Sequence, residues 1–406
     1  MKPSGPIPPD FATPGALTIG GRRFDALIDE AGGTPLFVYD SSAIAARVER
    51  LRAAFPGVGI HYAMKANPLP ELVARIAGMV DGIDIASGGE LRVAQAAGMD
   101  PRHMSFAGPG KRDDELEATI TAGVTLNLES EGEAGRALSI ATRLGATPRL
   151  ALRVNPDFEL KGSGMRMGGG AKPFGIDAER VPALVRSLID AGAEWRGFHI
   201  YAGSQSLDAD GLIAAQAATL DLAGRLAEAA GAAPPLVNLG GGFGIPYFAG
   251  DRPLDVERIG AALTHKLAER KAILLESSFA LELGRWLVGE AGVYLTRVID
   301  RKESQGQVFL IVDGGLHHQL AASGNFGTVV RRNYPIAVAR AVGAGETEIV
   351  SVCGCLCTPL DRLGDQVALP VAEPGDVIAI FCAGAYGASA SPAAFLGQGP
   401  AREMVV

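Results

Sequence analysis

Eight short β-prone runs, each followed by a helix-forming stretch, constrain this chain more than any other feature. The runs lie near 57–63, 81–86, 103–107, 124–128, 148–154, 196–202, 235–239 and 272–278. Stretches with helical spacing of Ala, Leu, Arg and Glu fall at 70–79, 88–97, 112–122, 130–144, 177–191, 207–231 and 254–270, with an earlier one at 41–54. Strands that alternate with helices pair in parallel. Eight of them predict an α/β fold closed as a (β/α)8 TIM-like barrel, with a doubly wound open sheet as the alternative. The 406 residues exceed what one ordinary core needs. Beyond about residue 285 helical spacing nearly vanishes, and 307–312, 348–352 and 377–381 alternate or are β-branched. That predicts a second, mostly β domain. Leu17-Thr18-Ile19 and Leu36-Phe37-Val38-Tyr39 also read as strands. The expected division is 1–38 as a segment lending strands to the β domain, 39–285 as the barrel, and 286–406 as the C-terminal β domain.

In such a barrel, chemistry gathers at the carboxyl ends of the strands. Lys65 ends the first run, in His61-Tyr62-Ala63-Met64-Lys65-Ala66-Asn67-Pro68. A lysine there can lose its charge by desolvation and act as an amine nucleophile, although most strand-end lysines are merely solvated. Other polar groups fall at corresponding places: Asp84 before Ser87-Gly88-Gly89-Glu90, then Lys111, Glu129, Arg153, His199, Tyr201 and Ser204. The run Gly240-Gly241-Gly242-Phe243-Gly244 follows the seventh strand. Its backbone N–H groups can approach an anion closely; a plain tight turn is the other reading. Arg285 could give a bidentate charge to the same anion, or form a surface salt bridge. Glu282 would share its side if that segment were helical.

Composition narrows the class. An apolar share of 48% and a charged share of 20% suit a soluble globular enzyme. A net charge of -8 disfavours nucleic acid or an anionic membrane as partner. No apolar leader follows Met1-Lys2-Pro3, and no uncharged apolar run reaches the ~18 residues of a membrane span, so a cytoplasmic location is expected. Cys353, Cys355 and Cys357 are spaced to share one face of a strand, with Cys382 remote. Neither a disulfide framework nor a metal site is expected from them.

A lysine nucleophile, a phosphate cradle and a strand-end carboxylate together point to pyridoxal 5′-phosphate (PLP). From about residue 35 onward the chain resembles the fold-type III PLP-dependent decarboxylases, the ornithine/diaminopimelate/arginine decarboxylase family. The matching pieces are 61–67, Asp84-Ile85-Ala86-Ser87-Gly88-Gly89-Glu90-Leu91, Gly203-Ser204-Gln205, 240–244, Glu282-Leu283-Gly284-Arg285, the Cys357 segment and Gly384-Ala385-Tyr386-Gly387. The resemblance implies an alanine racemase-like architecture, a barrel followed by a β-barrel or β-sandwich. It implies that Lys65 carries the cofactor as a Schiff base and that Glu282 pairs with the pyridine nitrogen. Gly240, Gly241, Gly242, Arg285 and Tyr386 would hold the phosphate, with Ser204 nearby, and Asp84, Arg153, His199 and Tyr201 complete the cofactor site. It also implies a homodimer with shared active sites, in which Cys357 returns a proton after CO2 leaves.

The departures from the family pattern concern the substrate. Tyr201 stands where the family usually has a ring-stacking histidine, and His199 lies two residues earlier. Cys357-Thr358-Pro359-Leu360-Asp361 lacks the acid that follows the cysteine and pairs with a distal ammonium. Thr358 cannot supply that charge, and Asp361 is expected to compensate in part. Pro173 replaces a lysine in Lys172-Pro173-Phe174-Gly175, and the Gly-rich segment before it holds one cation, Arg166, expected to meet a carboxylate or phosphate of the substrate or else to be solvated. Phe395-Leu396-Gly397 stands for the family's Phe-Asn-Gly. The cysteine variant resembles two branches: decarboxylases associated with exosortase A systems and exopolysaccharide production, and decarboxylases of aminoacyl groups tethered to an acyl carrier protein. The expected activity is decarboxylation of an amino acid, free or carrier-bound. The alternatives are an amino-acid racemase, which would place an arginine where Glu282 stands, and a non-catalytic homologue acting as a binding protein, which need not keep Lys65.

Overall fold

The computed structural model describes residues 1–160, 168–325 and 331–406, with the backbone of 163–166. The chain divides into two compact units. One comprises Arg47–Gly244 and Leu254–Gly284. Its barrel strands are β1 (Gly59–Ala63), β2 (Gly82–Ile85), β3 (Met104–Phe106), β4 (Thr125–Leu128), β5 (Arg149–Asn155), β6 (Glu194–Ile200), β7 (Leu236–Asn238) and β8 (Ser278–Leu283). Each pairs in parallel with the next, and β8 pairs in parallel with β1, which closes the barrel. The strands are short and mostly buried, as expected when helices cover the outer face.

Local sequence sets the intervening helices. Helix Pro70–Ala77 starts on a proline and buries Leu72, Val73 and Ile76 along one stripe. Ser87 and Ser130 cap their helices by accepting from Glu90 N and Glu133 N, 3.1 Å each. Left-handed Gly145 ends the second of these helices. The eighth strand differs from expectation. Residues 272–274 form a 3-10 turn, and β8 begins only at Ser278. The Arg270 guanidinium donates to the carbonyls of Leu267, Leu274 and Leu275, which satisfies the turn without a sheet partner. Glu282 therefore lies on a strand and Arg285 begins the short helix Arg285–Val288, so the helical arrangement considered for 282–285 does not occur.

The other unit comprises Met1–Ala46, Ile245–Pro253 and Arg285–Val406. Strand Leu36–Tyr39 pairs antiparallel with Gly292–Ser304 and parallel with Arg402–Val405, which joins both chain ends to one sheet. Phe11, Leu17, Ile19, Leu36, Val38, Val293, Leu295 and Phe381 share its core. The helix Phe24–Ala31 was not expected from sequence. The strand Thr347–Cys353 ends at the first cysteine, so Cys355 and Cys357 sit in the following loop and the three thiols do not share a strand face. Among the described residues no helix is long and apolar enough to cross a membrane. Among them, no cluster of three His, Cys, Asp or Glu side chains could hold a metal.

Candidate active site

In the barrel unit, β1 runs into a 3-10 turn, Met64–Ala66, that carries Lys65 at its centre. The amine is 3.4 Å from Glu282 Oε1 and 5.2 Å from the Tyr201 ring centre. Lys65 is 41% exposed, whereas Glu282 is 5% exposed, so the amine is reachable and the carboxylate is not bathed in water. The other oxygen of Glu282 lies 2.7 Å from His199 Nε2 on β6. Burial alone would raise the Glu282 pKa. The charge of Lys65, the hydrogen bond and charge of His199 and the charge of Arg153 outweigh it and hold this carboxyl far below the usual range. His199 thus serves Glu282, and among the described residues its buried Nδ1 has no hydrogen-bond partner. Arg153 on β5 is the direct register partner of His199.

The glycine run is pinned on several sides. Glu282 N donates to Gly240 O (2.8 Å), Gly240 N to Asn238 Oδ1 (2.9 Å), and Ser206 N to Gly242 O (2.8 Å). Side chains have no room here. A Cβ on Gly241 would lie 1.9 Å from Glu282 O, and Gly242 has φ +89° with Gly203 O 2.6 Å from its missing Cβ. Ser204 is buried on the strand Gly203–Ser206, which pairs with Ser163–Arg166. The Arg166 side chain lies outside the described residues. Asp84 points into the barrel interior, where Ser105 and Asn238 donate to it and His61 Nδ1 is 3.3 Å away.

In the other unit, Arg285 lies between two aromatic rings, 5.5 Å from the centre of Tyr247 and 4.7 Å from that of Tyr386. Its Nη1 donates to Tyr247 Oη (2.8 Å), while its buried Nε has no partner among the described residues. Tyr386 holds φ +54°, a strained backbone for a bulky residue and a mark of functional sites. Sequence reasoning missed Tyr247, which receives this arginine, and Tyr334, whose ring centre lies 4.7 Å from that of Tyr247. No motif flagged them.

The cysteine loop in the same unit is clamped. Asp361 accepts from Leu316 N (2.6 Å) through one oxygen and from Leu356 N (2.9 Å) through the other. Asp361 is buried and Cys357 is exposed. Asp361 therefore holds the cysteine loop through both of its oxygens, a structural role beside the substrate contact expected of it. Thr358 is half-buried, and its hydroxyl accepts from Leu360 N (3.4 Å).

The residues present fit PLP. A reachable amine stands over a buried, ionised carboxylate, the unpartnered His199 Nδ1 lies beside it, and the glycine run leaves no space that a Cβ could occupy. In the other unit an arginine keeps a buried N–H that no described residue accepts from.

Comparison with known proteins agrees with this geometry. The profile of the pyridoxal-dependent decarboxylase family, pyridoxal binding domain, matches residues 41–289. The chain is 38% identical over 374 residues to L-glutamyl-[BtrI acyl-carrier protein] decarboxylase from Niallia circulans, covering 90% of this chain and 87% of that protein. It is 34% identical over 391 residues to diaminopimelate decarboxylase from Methanothermobacter thermautotrophicus, covering 93% and 87%. The crystal structure of diaminopimelate decarboxylase from M. jannaschii in co-complex with L-lysine superposes with a TM-score of 0.87 at 27% identity, covering 99% and 92%.

Proposed function

The chain belongs to the pyridoxal-dependent decarboxylase family, and from that premise we propose that it removes the free α-carboxyl group of an amino acid whose side-chain carboxyl is held as a thioester on an acyl carrier protein. PLP, when bound, supplies the sink for the electron pair left by departing CO2. Lys65 offers the amine that holds it, and its exposure lets the substrate amine take that place. Glu282, kept ionised, holds a proton at the ring nitrogen, and His199 fixes the carboxylate's orientation. An arginine in that position would repel the same proton, which favours decarboxylation over racemisation. In the barrel unit the N–H groups of Gly241 and Gly242 are donors suited to a phosphate, Gly240 N being taken by Asn238 Oδ1, and in the other unit Arg285 is a further candidate. In a homodimer the partner subunit's Cys357 returns a proton to the α-carbon.

The state of Asp361 carries the substrate assignment. With Thr358 in place of an acid and Asp361 buried and bound to Leu316 N and Leu356 N, the cysteine loop offers no exposed carboxylate to a distal ammonium. Burying an ammonium without a partner costs several kcal/mol. A thioester-linked substrate presents a carbonyl there and needs no such partner. The glutamyl-carrier decarboxylase at 38% identity supports the same reading. The test is CO2 release from glutamyl-carrier protein against free glutamate, diaminopimelate, ornithine and lysine. We expect kcat/KM for the tethered substrate to exceed every free amino acid by about 100-fold or more. Equal or better turnover of a free diamino acid would refute the assignment.

A further inference from the structure

A buried ionic ladder runs through the barrel wall toward the site. Lys111 is 3% exposed. Its ammonium donates to Gly108 O (2.9 Å), Asn127 O (2.8 Å) and Glu133 Oε1 (2.6 Å), so its donors are fully used. The second oxygen of Glu133 accepts from Glu129 N (3.1 Å). Glu129 then splits its carboxylate: one oxygen takes Arg153 Nη1 at 2.7 Å, the other takes Gly175 N at 3.1 Å. Arg153 also lies 5.0 Å from the centre of the Phe174 ring. Glu133, Glu129 and Arg153 are all buried.

The ladder holds two cations and two anions, so its net charge is zero. Buried ion pairs rarely stabilise a fold better than apolar packing would, because desolvation offsets their attraction. Their use is orientation. Here the fixed end is Arg153, the strand neighbour of His199. Apart from Glu129 and the Phe174 face, the described residues offer Arg153 no hydrogen-bond partner, so part of its guanidinium fork stays open.

We propose that Lys111 and Glu133 are positioning residues for the decarboxylation: acting through Glu129, they fix the Arg153 guanidinium beside the Glu282–His199 pair. Lys111 anchors the ladder to β4 through Asn127 O. Glu133 spans from the following helix to the backbone of Glu129. Glu129 sets the guanidinium and, through Gly175, the segment that carries Phe174 across its face. The inference rests on the family reading of the site, and wild-type CO2 release checks that reading separately.

The experiment compares the wild-type holoenzyme with Glu129→Gln, which changes charge at almost constant shape, and with the neutral replacement Lys111→Met/Glu133→Leu. Thermal midpoint, kcat, KM, visible circular dichroism of the bound cofactor and cofactor affinity of the apoprotein are measured. Positioning predicts folded variants whose kcat falls about 10- to 100-fold while KM stays within about threefold. It also predicts an altered visible dichroic band and weaker cofactor binding. Folded variants with wild-type kcat and an unchanged band would overturn the proposal. Loss of the fold in both variants would do so too, since it would assign the ladder to stability alone. If only the double replacement unfolds, Glu129→Gln decides by the same criteria.

Discussion

Glu282 shows how a buried charge is kept where burial argues against it. One oxygen faces Lys65 and the other His199, with Arg153 one strand beyond. Replacing Glu282 by Gln keeps the shape and removes the charge. Decarboxylation should then fall by about 100-fold or more, with Lys65 still carrying the cofactor. CO2 release and the visible absorbance of the holoenzyme check both halves of that expectation; unchanged turnover would remove Glu282 from the chemistry. Lys65 and Glu282 were singled out in the sequence by the motifs that carry the family resemblance, since a strand-end lysine alone is most often merely solvated. The role of Asp361 was not legible there, because its two backbone donors, Leu316 N and Leu356 N, are set by a loop fold that no local pattern announces. The change of Asn to Leu at 396 acquires a physical meaning only in the structure. Leu396 adopts φ +53°, a left-handed backbone in which Asn is at ease and Leu is not.

The elements were read well wherever amphipathic spacing and caps agreed. Helices expected at 41–54 and 130–144 span Ser41–Ala54 and Glu131–Leu144. The eighth strand was displaced because Ala272-Ile273-Leu274-Leu275 has strand-like composition, yet it turns and leaves Leu275 54% exposed. The true strand alternates Phe279, Leu281 and Leu283 with inward Glu282, a polar residue that broke the apparent apolar run. The glycine run ties β7 and β8 together through contacts that admit no Cβ. Gly241→Ala would force its methyl against Glu282 O and displace the strand that carries the carboxylate. We expect a loss of about 1–3 kcal/mol of stability together with weakened cofactor retention. Denaturant unfolding and equilibrium dialysis measure the two effects, and a variant with wild-type values in both would show that the approach is not tight.

Across the molecule, groups for an amine carrier and its carboxylate lie in the barrel unit, and Arg285, Tyr386 and Cys357 lie in the other. The β unit also carries a buried pH-sensitive stitch. His318 Nε2 donates to Gly399 O (3.0 Å) while Nδ1 accepts from Tyr294 Oη (3.0 Å), the pattern of a neutral imidazole. Burial, then the neighbouring His317, lowers its pKa to about 4. The unfolded chain takes up that proton near pH 6.5, earlier than the folded one. The stitch is therefore intact above about pH 6.5, weakens as the pH falls toward 4, and loses nothing further below. Relative to His318→Gln, the wild-type stability should fall by about 3 kcal/mol across that window, read from denaturant midpoints at successive pH values. Parallel curves for the two proteins would contradict the neutral assignment. The account as a whole depends on which amine binds the cofactor. The decisive measurement is borohydride reduction of the holoprotein followed by peptide mass spectrometry. A pyridoxyl group on the peptide containing Lys65 is the predicted result. Its appearance on another lysine, or an unlabelled Lys65 peptide from a protein that retains its visible band, would contradict the account.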